Sequence, residues 1–243
     1  GAFLKTSKEA AQLAASMVSI GEQAGRRCSA LLTNMDQPLG YAVGNSLEVQ
    51  EAVAALQGNG PSDLMNLSKA LAAEMLVLAG NGQREDCMRQ VEQALSSGRA
   101  YQKFCEMVAA QGGVLEALGY LPVSPFQKQV VAASTGWISH MDTEKIGIVS
   151  MLLGAGRQKK EDSVDVGAGL VLSKKTGDFV QAGEPLARLY CRDAVLFPEA
   201  ESCLAEAVTI SPSNNILKKP VLLGRVEGKG EMQWLDTHSE GFV

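Results

Sequence analysis

The residues best placed to do chemistry lie in Met35-Asp36-Gln37-Pro38-Leu39-Gly40-Tyr41-Ala42-Val43-Gly44-Asn45-Ser46-Leu47-Glu48-Val49, which leads from an apolar strand into a helix. Loops of this kind are where α/β proteins place binding groups. Gly40 and Gly44 allow backbone carbonyls to turn toward a common point. Asn45-Ser46-Leu47-Glu48 reads as a capping box, which leaves Glu51, one turn on, without an obvious local task. Carbonyls with one carboxylate suit a hard, weakly held cation with oxygen ligands. A capped, glycine-rich loop with no ligand fits the same residues and is the commoner arrangement.

Other candidate chemistry is thinner. Gly154-Ala155-Gly156 lacks the third glycine of a dinucleotide loop, because position 159 is Lys, and it follows a helix where a strand is required. Gly224 to Lys229 has three residues between its glycines where a phosphate loop needs four, and Gly230 stands where a hydroxyl should bind magnesium. His140 and His238, the two histidines, have no Cys or carboxylate at metal-ligand spacing; His140 is expected to face solvent from a strand. Lys159-Lys160-Glu161-Asp162 reads as a solvated turn. The segment Gly177-Asp178-Phe179-Val180-Gln181-Ala182-Gly183-Glu184-Pro185-Leu186 resembles the hairpin of lipoyl- and biotinyl-like domains. Lys174 and Lys175 directly precede its turn instead of occupying a separate hairpin tip, so shared architecture without a carrier lysine is expected.

The elements that must position these groups follow from capping and periodicity. Thr6-Ser7-Lys8-Glu9 is a capping box ahead of Ala10, Leu13, Ala14, Met17 and Ile20 at helical spacing. Cys28 to Thr33 is a short strand, and helices are expected near 62–79, 84–96 and 98–111. Leu121-Pro122-Val123-Ser124-Pro125 marks the expected boundary. Beyond it come strands at Gln129 to Ala133, Gly136 to Ser139, Gly167 to Leu172, Pro185 to Tyr190 and Pro220 to Arg225. Helices from Asp142 or Thr143 to Leu153 and near 198–209 interrupt them, and the last dozen residues read as polar and loosely ordered. Three parts follow: 1–121, 122–227 and a tail, 228–243.

Composition sets the outer limits. Charged residues are 20% and net charge is −5, so no concentrated basic surface for nucleic acid is present. Aromatics at 5% leave little for base stacking. The longest apolar run, Leu71 to Ala79, is interrupted by Glu74 and is far shorter than the roughly 20 residues of a membrane span. Five scattered cysteines without a CxxC pair point to reduced thiols and a cytoplasmic location.

Several segments, in order, resemble the pyrimidine-nucleoside phosphorylases, the family that includes thymidine phosphorylase. They are Gly1-Ala2-Phe3, Asp36 to Glu51, Leu71 to Gly80, Gly136 to Gly147, Gly154-Ala155-Gly156-Arg157 with Glu161-Asp162, and the Gly177 segment. The resemblance runs from Gly1 to about Val226. It implies α/β plus α+β architecture: a truncated phosphorylase α/β lobe, then a carboxyl-terminal α/β-hammerhead, barrel-sandwich-like module. The activity implied is a glycosyltransferase reaction, phosphorolysis of thymidine, deoxyuridine or uridine to free base and pentose 1-phosphate. Inorganic phosphate is the co-substrate, no organic cofactor is required, and the full-length family forms homodimers. Gly1 and Phe3 are implied at the pyrimidine pocket. A monovalent cation, potassium, is implied on the carbonyls of Leu39 and Ala42 and the carboxylate of Glu51. The family's phosphate- and base-gripping residues precede the Gly-Ala-Phe motif, so the isolated chain, which begins with Gly, is expected to be inactive with its cation site incomplete. A non-catalytic binding or interaction module on the same fold is the competing expectation.

Overall fold

The computed structural model describes residues 4, 6–216, 219–228 and 230–235. Two compact units are discontinuous in sequence: one comprises 1–35, 62–100 and 219–243, the other 36–61 and 101–218. The boundary expected at 121–122 falls inside the second unit.

The first unit pairs helices with a small antiparallel sheet. Helix α1 (Ser7–Gln23) is started as the sequence predicts: the Thr6 hydroxyl accepts from the Glu9 N–H at 3.2 Å and donates to the Glu9 carboxylate at 2.7 Å. Strand β1 (Ser29–Thr33) lies beside β9 (Leu222–Glu227), which also pairs with β10 (Glu231–Trp234). Strand β10 corrects the expectation of a loose tail over those residues; Met232 faces Val226 across the ladder. Ala14 and Val18 of α1 pack with Leu32 and Val226. Helices α3 (Ser62–Leu78) and α4 (Arg84–Ser96) complete this unit.

A charged cluster lies inside it. Glu74 on α3 is 6% exposed and Arg225 on β9 is 4% exposed. Arg84 grips Glu74 through two hydrogen bonds of 3.2 and 3.3 Å, Arg225 approaches it at 3.1 Å, and the Ser29 hydroxyl donates at 3.1 Å. Glu227 pairs with both Arg84 and Arg225, so two carboxylates balance two guanidinium groups.

The second unit holds the larger core. Helix α2 (Asn45–Leu56) precedes α5 (Arg99–Ala110), whose first two residues belong to the other unit, and a short 3₁₀ turn over Leu115–Tyr120 follows. One antiparallel sheet has the order β2 (Ala42–Val43), β5 (Gly169–Leu172), β7 (Pro185–Cys191), β3 (Phe126–Val131). A second has the order β6 (Phe179–Val180), β4 (Gly136–Met141), β8 (Val208–Ser211). Successive strands β5, β6 and β7 therefore alternate between sheets, which corrects the hairpin expected around Gly177. Edge strand β3 is mostly exposed and carries Lys128, as an edge open to solvent requires.

Helices α6 (Thr143–Ser150) and α7 (Phe197–Ala207) close the core with Ile138, Ile146, Val149, Leu153, Leu170, Leu189 and Leu204, each at most 1% exposed. Each such side chain contributes about 1.5–3 kcal/mol. Asp142 caps α6, accepting from the Lys145 N–H at 3.1 Å. A π-turn over Met151–Ala155 extends α6, and Gly154 ends it at φ 104°. All five cysteines are free thiols.

Candidate functional site

The loop 38–44 takes its shape from the strand and helix that follow it. Strand β2 is the edge of its sheet, and the Leu172 N–H donates to the Tyr41 carbonyl at 2.9 Å. Tyr41 and Val43 therefore turn their carbonyls toward β5, whereas Ala42 turns its N–H and C=O to the outer edge. Gly44 bridges β2 and α2 at φ 148°, and a Cβ there would stand 2.5 Å from the Ala168 carbonyl oxygen. Only glycine fits that crossing.

The helix start differs from the expected capping box by one residue. Gly44 is the cap, and Glu48 reaches back to accept from the Gly44 N–H at 3.0 Å. Asn45 is already helical, and its side chain donates to the Ala155 carbonyl at 2.8 Å. Glu51 also has a local task, contrary to expectation: its Oε1 accepts from the N–H groups of Tyr41 at 2.9 Å and Ala42 at 3.2 Å. Charge-assisted bonds of this type hold a loop firmly.

On the carbonyl side of the loop stands Lys175. It is 8% exposed, donates to the Pro38 carbonyl at 3.0 Å, and its Nζ lies 4.7 Å from the centre of the Tyr41 ring. Residue type alone placed it in a turn; its buried contacts had no sequence signal. Tyr41, Gln50, Glu51, Asn59, Val171 and Tyr190 are among the residues lining a surface cleft of about 530 Å³.

The donor chemistry fits a monovalent cation. The carbonyls of Leu39 and Ala42 and the Glu51 carboxylate are oxygen-only donors with a single negative charge. The Ala42 carbonyl lies on a sheet edge that no strand covers among the described residues, and the Cβ-free side of Gly40 leaves room for the carboxylate. Gly1 and Phe3 lie outside the described residues, as does His238. Among the described residues no cluster of three or more His, Cys, Asp or Glu side chains could hold a metal ion.

The remaining candidates stay apart from this loop. His140 is exposed on β4. Lys174 pairs with Glu184 at 2.6 Å, and that ammonium and the Gln181 N–H hold the Glu184 carboxyl below its ordinary value. With Lys175 buried and Lys174 paired, neither presents a carrier lysine. Gly154–Gly156 closes a helix, Gly224 lies within β9, and Asp162 accepts from the N–H groups of Gln158 and Lys159 to form the expected exposed turn. Among the described residues no helix is long and apolar enough to cross a membrane.

A mixed α/β chain with this loop has clear counterparts among known proteins. Residues 1–101 match the glycosyl transferase family, a/b domain, and residues 137–211 match the pyrimidine nucleoside phosphorylase C-terminal domain. A pyrimidine-nucleoside phosphorylase of Bacillus subtilis (strain 168) is 43% identical over 194 residues, 78% of this chain and 45% of that protein. One of Staphylococcus haemolyticus (strain JCSC1435) is 40% identical over 221 residues, 88% of this chain and 51% of that protein. The chain belongs to the pyrimidine-nucleoside phosphorylase family. It spans about half the length of the curated relatives it matches.

Proposed function

We propose that this chain is part of a glycosyltransferase that phosphorolyses pyrimidine nucleosides: thymidine, deoxyuridine or uridine. A phosphate oxygen bonds to the anomeric carbon, the glycosidic C–N bond breaks, and its electron pair leaves on the pyrimidine nitrogen. The products are the free base and the pentose 1-phosphate. Such a reaction depends on holding phosphate in line and on stabilising charge on the departing base. The observation that carries this reading is the order of the two family matches, 1–101 then 137–211, along one chain.

Within that enzyme the 38–51 segment binds a monovalent cation, potassium, on the carbonyls of Leu39 and Ala42 and the carboxylate of Glu51. When bound, the ion supplies positive charge that orders this loop. The chain's own residues do the rest: Glu51 fixes the Tyr41 and Ala42 amides, and Gly44 sets the entry of α2. Gly1 and Phe3 border the base, the enzyme works as a homodimer in the cytoplasm, and 122–218, the part of the expected 122–227 module that lies in the second unit, carries the hammerhead. On this reading the phosphate- and base-gripping residues belong to the part of the relatives that this chain does not span.

The test is release of free base from uridine and thymidine in phosphate buffer. The chain alone gives none. Joined to the region of the Bacillus subtilis relative that precedes the aligned segment, it releases base only when phosphate is present. Failure of the joined protein to release base, at wild-type folding, overturns the phosphorylase reading; turnover by the chain alone overturns its dependence on further residues.

A further inference from the structure

Lys175 is a buried charge that the proposed chemistry leaves without a task. It stands in the turn between β5 and β6, and that turn is tightly fixed. Its N–H donates to Asp178 Oδ2 at 2.8 Å, its carbonyl accepts from the Asp178 N–H at 3.0 Å, and the Gly177 N–H donates to the Ile138 carbonyl at 2.7 Å. From this base the side chain reaches across to the loop, with Nζ 3.0 Å from the Pro38 carbonyl oxygen and 4.7 Å from the Tyr41 ring centre. Only 8% of the residue is exposed.

Burying an ammonium is costly, and a methionine of similar length would fill much of the same space without that cost. The loop to which Lys175 reaches has its peptide groups held from both ends. The Pro38 carbonyl, the negative end of a peptide dipole, is given to an ammonium. The N–H groups of Tyr41 and Ala42, the positive ends, are given to the Glu51 carboxylate. The neighbouring Lys174 does neither and pairs with Glu184.

We propose that Lys175 is a positioning residue for the 39–42 oxygen site: by tying down Pro38 and Tyr41 it sets the loop so that Glu51 takes both amides and the Leu39 and Ala42 carbonyls remain available to a monovalent cation. The ligand half of this statement rests on the cation reading above; the loop half does not.

The experiment compares wild type with Lys175→Met, Lys175→Arg and Lys174→Met: the chain by hydrogen exchange without potassium, and the protein joined to the preceding region of the Bacillus subtilis relative by potassium titration, read as thermal shift with sodium as control. Loss of a charge-assisted bond speeds exchange at the Tyr41 and Ala42 amides in Lys175→Met by about tenfold or more, and weakens potassium binding by a similar factor. Protection of Leu189 in the β7 ladder stays at the wild-type level, which reports intact folding. Lys175→Arg, which keeps a cation over Tyr41, restores both properties; Lys174→Met matches wild type. Unchanged exchange at Tyr41 and Ala42 in Lys175→Met, or a potassium midpoint equal to wild type, overturns the proposal. A joined wild-type protein that ignores potassium removes the ligand half, and the exchange data then decide the loop half alone.

Discussion

Gly40 and Glu51 are fitted to one another: a Cβ built on Gly40 would stand 2.0 Å from Oε2 of Glu51, and Gly40 has φ +68°. Gly40→Ala therefore meets both a strained backbone and the carboxylate, and costs about 1–3 kcal/mol. Glu51→Ala leaves the Tyr41 and Ala42 amides without their acceptor and costs about as much. In the double variant the clash is gone, so the two costs combine to less than their sum. Equilibrium denaturation of the four chains measures this; strict additivity would show that the two residues do not meet.

How much of this was legible follows from the range of each interaction. The Thr6–Glu9 box, the Asp142 cap and the Lys159–Asp162 turn involve partners three or four residues apart, and each stands where the sequence puts it. The Asn45 box slipped by one residue because Gly44 takes a conformation closed to side-chain-bearing residues, and the helix begins after it. Lys175 and Pro38 are separated by 137 positions, and no local pattern connects them. Strand β10 was read as tail because the alternation of Glu231, Met232, Gln233 and Trp234 lasts only four residues; it forms beside the edge that β9 offers. Glu74 left one visible trace, a carboxylate interrupting the apolar run of α3. Its partners Arg84 and Arg225 could be found only in three dimensions.

Glu74 should make the first unit sensitive to acid. Burial pushes its carboxyl up, but the Arg84 hydrogen bond, the charges of Arg225 and Arg84, and the Ser29 hydroxyl outweigh this, so it lies below the ordinary 4.5. A folded-state pKa below the unfolded value means stabilisation that is complete above about pH 5 and is lost as pH falls through the folded pKa. Glu74→Gln, which leaves buried Arg225 poorly compensated, costs roughly 3 kcal/mol at neutral pH. The gap between wild type and variant, followed by denaturation from pH 7 to pH 3, narrows in acid. A gap independent of pH would exclude the ionised carboxylate as its source.

Thr6 makes a smaller, local contribution. Its hydroxyl serves the first turn of α1, accepting from the Glu9 N–H and donating to the Glu9 side chain. Thr6→Ala removes both bonds and costs about 1 kcal/mol, whereas Thr6→Ser retains most of the cap. Far-ultraviolet circular dichroism during urea unfolding gives the comparison. Equal stability of Ala and Ser variants would mean that the cap contributes nothing.

Glu51 has two tasks that one substitution separates. Glutamine keeps a carbonyl oxygen able to accept from Tyr41 and Ala42 but carries no charge for a cation. Without potassium, Glu51→Gln should lie within about 1 kcal/mol of wild type, since only the charge assistance of the loop bonds is lost. In the protein joined to the preceding region of the Bacillus subtilis relative, with potassium tenfold above its Kd, wild type gains about 1.4 kcal/mol and the variant gains almost none. Thermal unfolding at fixed ionic strength, with sodium exchanged for potassium, isolates the effect from general screening. Equal potassium stabilisation of both chains would make Glu51 a loop clamp only and move the cation elsewhere.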